Sequence, residues 1–88
     1  MPEAMFVFEI NRPFDYGAFT KHLVHSGNVL WRKKPGVFCN RSRFRKAVEV
    51  EARVDKKTAE KMVSTMIELG MISVDSDNDV IVNELLRK

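Results

Sequence analysis

The hydrophobic positions of the chain change period several times, and each change marks an element. Residues 5–10, Met-Phe-Val-Phe-Glu-Ile, are dense in strand formers and stop short of Pro13, which predicts a strand. Asp15 follows as a helix N-cap, with Phe14 and Phe19 at the two positions of a hydrophobic staple. That helix is expected to run to about Ser26 and stop at Gly27, with Phe19 and Leu23 on its inner face. Val29-Leu30-Trp31 and Val37-Phe38-Cys39 read as two short strands around the turn signal Pro35-Gly36, giving a hairpin or extended loop with a basic tip. A helix is predicted from about residue 41 to 52, capped by Asn40 or Ser42, with Phe44, Ala47 and Val48 on its apolar stripe. Asp55 then caps the helix with the clearest pattern: Ala59, Met62, Val63, Met66 and Leu69 recur at helical spacing before Gly70 ends it. Its opposite face carries Lys57, Lys61, Ser64, Thr65 and Glu68. Residues 71–74 and 80–82 are β-rich runs around an Asp/Asn/Ser cluster, a hairpin, and residues 83–88 leave room for one helical turn.

Composition narrows what such a chain can do. Its 88 residues, 44% apolar and 31% charged, fit one ordinary domain, expected to span 1–88, with little room for an enzyme that encloses a deep pocket. No catalytic role and no cofactor are expected. Apolar runs of about four residues exclude a membrane-spanning helix, and the lack of positive charge before Met5 argues against a signal peptide. One cysteine cannot form an internal disulfide, which fits a reducing, cytoplasmic setting. The net charge of +3 hides a strong asymmetry. Residues 31–61 set eleven basic side chains against four acidic ones, +7, while residues 1–30 carry −1 and residues 62–88 carry −3. A basic middle in an almost neutral chain is the footprint expected for a polyanion, as well as being compatible with a solvated face.

Two helices meeting at Ala52-Arg53-Val54-Asp55, followed by a β-hairpin, follow the order of a helix-turn-helix with a wing. The segment Val54-Asp55-Lys56-Lys57-Thr58-Ala59 resembles the turn and recognition-helix start of the winged helix-turn-helix superfamily. Met66-Ile67-Glu68-Leu69-Gly70-Met71-Ile72 is similar to its exit into the wing. The resemblance covers about residues 40–82. Arg53 departs from it, standing where the family often has glycine. The resemblance implies an α+β fold with three helices, an N-terminal strand and a C-terminal β-hairpin wing, the helix-turn-helix at about 41–70 and the wing at about 71–82. It also implies sequence-specific binding of double-stranded DNA in transcriptional regulation. Replication-initiation DNA binding is equally compatible with that resemblance.

The residues point the same way by their chemistry. A recognition helix buries one face and offers the other to the major groove. Lys56, Lys57 and Thr58 in its first turn would approach phosphate together with open backbone N–H groups, and Lys61, Ser64 and Thr65 would lie deeper. Arg32, Lys33, Lys34, Arg41 and Arg43 would hold phosphates from the sides. Asp75, Asp77 and Asp79 at the wing tip would repel phosphate, so the wing either points away from DNA or serves a protein partner. A protein adaptor, with polymerase or replication proteins as partners, is the rival reading. A homodimer through the strand at 5–10 is a further option. Trp31, Phe38 and Phe44 interleave with arginines, which would also suit single-strand stacking or packing in a core. The Asp75-Ser-Asp-Asn-Asp79 run imitates the start of a calcium loop, but Val80 and Leu86 stand where that loop needs glycine and glutamate. His22, His25 and Cys39 lack the paired spacing of a zinc site. No metal is expected.

Overall fold

The computed structural model describes residues 13–25 and 37–86. The first helix, α1, spans Tyr16–His25. Asp15 caps it, its carboxylate accepting the Ala18 N–H at 2.9 Å. Phe14 packs edge-on against Phe19 with ring centroids 5.2 Å apart, so the staple forms. Strand β1, Val37–Asn40, then passes directly into α2, Arg41–Ala52. Asn40 is the cap, its side chain accepting the Arg43 N–H at 2.8 Å from an extended backbone.

Between α2 and α3, Lys56–Glu68, the chain turns at Arg53, which sits in the left-handed region at φ 53°, ψ 49°. That geometry lets the N–H groups of Arg53 and Val54 both reach the Glu49 carbonyl. A side chain with a Cβ is strained there by about 1 kcal/mol. Arg53→Gly is expected to raise stability by about 0.5 kcal/mol, less than the strain because glycine also gains freedom in the unfolded chain. Arg53→Ala should give no gain. Urea denaturation of the two variants checks this. At the far end of α3, Gly70 takes φ 77°, and the Met71 N–H returns to the Met66 carbonyl at 3.0 Å, closing the helix as a glycine C-terminus does.

Strands β2, Ile72–Val74, and β3, Asp79–Val82, form the expected hairpin, and a single 3-10 turn follows at Glu84–Leu86. The loop of Ser76, Asp77 and Asn78 is a three-residue hairpin connection whose last residue is left-handed, Asn78 at φ 62°. The sheet is antiparallel in the order β1-β3-β2. β1 meets β3 with Asn40 opposite Asp79, Cys39 opposite Val80 and Val37 opposite Ile81. Phe38 is the extra residue of a bulge. The bulge re-aims the strand, so that Phe38 and Cys39, although adjacent, are both buried, 0% and 1% exposed. The sequence set residues 37–39 against 29–31 across the Pro35-Gly36 turn. Residues 29–31 lie outside the described residues, and the partner the structure gives this strand is β3. Turn chemistry reports only local pairing, whereas this pairing is made by chain that lies beyond two helices. The strand expected at 5–10 also lies outside the described residues.

One cluster of buried side chains joins the layers: Phe19 and Leu23 from α1, Phe44 and Val48 from α2, Met62 and Met66 from α3, Val80 and Val82 from β3. Among the described residues, three α-helices and a three-stranded antiparallel sheet make an α+β fold, compatible with a winged-helix layout. No helix among the described residues is long and apolar enough to cross a membrane.

Candidate nucleic-acid interface

Helix α3 owes its orientation to its own periodicity. Ala59, Met62, Val63 and Met66 are buried, which turns the line Lys57, Lys61, Ser64 and Glu68 outward, and all four are exposed. Lys56 and Glu60 are exposed beside that line. The front of the helix therefore carries three lysines and a serine, with a carboxylate on its flank and another at its far end.

Two of the residues expected at the contact already have partners within the chain. Thr58 does not offer an open N–H or hydroxyl to phosphate. Its N–H donates to Asp55 at 2.7 Å, and its side chain also bonds that carboxylate. These two bonds, the side-chain one first, hold the Asp55 carboxyl below the usual carboxylate range. Thr65 is half-buried rather than outward: its hydroxyl donates to the Lys61 carbonyl at 3.0 Å, and it bonds the Tyr16 phenol of α1. Burial raises the Tyr16 phenol above its ordinary range, and the Thr65 bond works against that shift. A helical wheel places Thr65 at the margin of the outward face, where the neighbouring helix decides its environment.

The start of α2 lies beside α3. Arg41, Ser42 and Arg45 from α2 and Glu60, Val63 and Ser64 from α3, together with Asn78, line an open cleft of about 350 Å³. Arg43 is exposed, Arg41 half-buried. Arg45 is ion-paired along the helix with Glu49. The structure thus brings Arg41 close to the α3 face; Arg32, Lys33 and Lys34 lie outside the described residues.

Sequence reading did not foresee where the acidic turn would go. Because Asn40 faces Asp79 across the sheet, the hairpin turn has to lie against the first turn of α2, and the Arg41 N–H donates to the Asn78 carbonyl at 3.0 Å. Asp79 is only 4% exposed there, and the positive end of the helix dipole favours its charge. The Asp75 carboxylate accepts the N–H groups of Asp77 and Asp79 at 2.9 and 3.0 Å, folding the turn on itself. Of three aspartates expected to repel phosphate at the tip, Asp77 is exposed, Asp75 half-buried and Asp79 buried. Their carboxylate oxygens gather within 4.8 Å of one another as the tight turn requires.

Single-strand stacking loses two of its three aromatics. Phe38 and Phe44 are 0% exposed and meet edge to face at 6.1 Å, so they belong to the core; Trp31 lies outside the described residues. Another contact missed in the sequence is His22 Nε2 against Glu51 Oε2 at 3.1 Å, which ties α1 to α2. Nothing in the spacing of residues 29 positions apart signals it. Compared with protein-family models, curated proteins and solved structures, the chain matches none.

Proposed function

We propose that the chain is a winged-helix module that lays α3 in the major groove of double-stranded DNA, in the role of a small transcriptional regulator. The observation that carries this reading is the outward line Lys57, Lys61 and Ser64 on a helix whose other face is wholly committed to the core. Lys57 and Lys61 would meet phosphate, and Ser64, the uncharged member of the line, would reach base edges. Arg41 and Arg43 at the start of α2 would hold the flanking backbone through their guanidinium groups. Lys56, Arg32, Lys33 and Lys34 would add long-range attraction. The withdrawal of Asp75 and Asp79 from the surface supports the reading, because it lowers the repulsion the turn would otherwise exert.

The second reading, a protein adaptor, is favoured by a different observation. The hairpin turn is folded onto α2 instead of standing clear as a separate wing that could enter a minor groove. Fluorescence anisotropy with labelled duplex at several salt concentrations tests the first reading. With six phosphate contacts, log affinity is expected to fall against log salt with a slope of about −5. A flat response removes DNA as the partner and leaves the adaptor.

A further inference from the structure

We propose that the outer edge of β2 is a docking edge for an extended peptide of another protein, one with apolar residues flanked by lysine or arginine. This does not rest on the duplex reading and uses different residues.

The hydrogen-bond pattern of the hairpin defines the edge. The Asn83 N–H donates to the Met71 carbonyl at 2.9 Å, and the Asp75 N–H to the Asp79 carbonyl at 3.0 Å. In an antiparallel ladder, hydrogen-bonded pairs alternate with non-bonded ones. Met71–Asn83, Ser73–Ile81 and Asp75–Asp79 are therefore the bonded pairs, and Ile72 and Val74 turn their N–H and C=O groups away from β3. Among the described residues β2 is the outer strand in the order β1-β3-β2, so those groups point away from β3. Natural sheets guard such an edge with lysine, proline or a bulge. β2 reads Ile-Ser-Val and pairs with β3 without a register shift.

The surface beside the edge is apolar and its rim is negative. Ile67, Ile72 and Ile81 contribute to an open groove of about 430 Å³, with Glu84 on its border. Leu69 and Leu85, chain neighbours of the groove residues Gly70 and Glu84, are 54% and 74% exposed. Glu68 is exposed one residue before Leu69. Backbone pairing supplies affinity in such strand addition, and side-chain pockets supply the preference. An apolar groove under an acidic rim selects an apolar strand with cationic ends and disfavours a second copy of the same rim.

The test uses the full isotope-labelled chain and a synthetic peptide of about ten residues, alternating valine and threonine between terminal lysines, with a glutamate-ended counterpart. The lysine-ended peptide is expected to shift the amide signals of Ile72 and Val74 most, and the glutamate-ended one to bind at least about fivefold more weakly. Val74→Pro removes an outward N–H without costing a bond to β3, and should abolish peptide binding while duplex binding is kept. Leu69→Lys, which leaves the backbone alone, should weaken the lysine-ended peptide and serves if Val74→Pro disturbs the fold. Equal binding of both peptides, or unaltered binding to Leu69→Lys, overturns the proposal. So does a dimer in the free chain that Val74→Pro dissociates, since a second copy then holds the edge. Slow exchange of the Ile72 and Val74 amides in the free monomer would assign the edge to the chain's own residues and overturn it equally.

Discussion

Reversing Lys57 and Lys61 together to glutamate is expected to weaken duplex binding by roughly 10²–10³-fold at moderate salt while leaving the fold intact. Each reversal changes the local charge by two units, on neighbouring turns of one exposed line of α3. Opposite that line, Ala59, Met62, Val63 and Met66 stay where they are, so the helix keeps its attachment. The effect should shrink as salt rises, because screening removes attraction and repulsion alike. Lys21→Glu, a single reversal on an exposed position of α1, is the control and should change affinity by less than about threefold. Ser64→Ala should alter preference among sequences without altering the salt slope, as loss of a base contact does. Anisotropy titrations on matched duplexes decide the matter. An unchanged affinity in the double reversal would show that DNA meets some other surface.

Phe44→Ala should give the largest loss of stability, about 3–5 kcal/mol. Its ring is fully buried where α2, β1 and β3 come together, edge-on to Phe38. Truncation removes both the transfer energy of the ring and its aromatic contact, and leaves a void bounded by Phe38, whose strand is already bent by the bulge. A domain of this size holds only about 5–10 kcal/mol in total, so the variant should be close to unfolding at 37 °C. A guanidinium titration followed by circular dichroism gives the loss directly. A cost below about 1 kcal/mol would mean that the α2–β1 junction is far looser than described. Phe44→Leu, which keeps most of the volume, should recover more than half.

Much of this architecture can be read from local chemistry. Asp15, Asn40 and Asp55 are short side chains that accept N–H groups three residues on, and each begins a helix where that chemistry places it. Gly70 ends α3 for a local reason too, and the chain takes the left-handed turn at Arg53, where the resembled family often has glycine, although arginine is poorly suited to it. Periodicity assigns Lys57, Lys61 and Ser64 to the outside because it reports which way a face points. It cannot report what stands next to that face. Thr65 is half-buried, with its hydroxyl turned back to the Lys61 carbonyl. At Thr58 the cap takes the same N–H that phosphate would use. The β1–β3 pairing and the tucked acidic turn escaped because they follow from register between distant strands.

The pairing of β1 with β3 has a kinetic consequence. Asn40 and Asp79 face each other across 39 positions, and the whole of α2 and α3 lies inside the loop they close. Closing a chain of that length is entropically costly until the enclosed helices have shortened the distance. The two helices, joined by a tight turn and packed through adjacent sequence, should therefore assemble before the strands zip. A molecule that clamps α2 against α3 would then hasten folding as well as slow unfolding, whereas one seated on the sheet would act on unfolding alone.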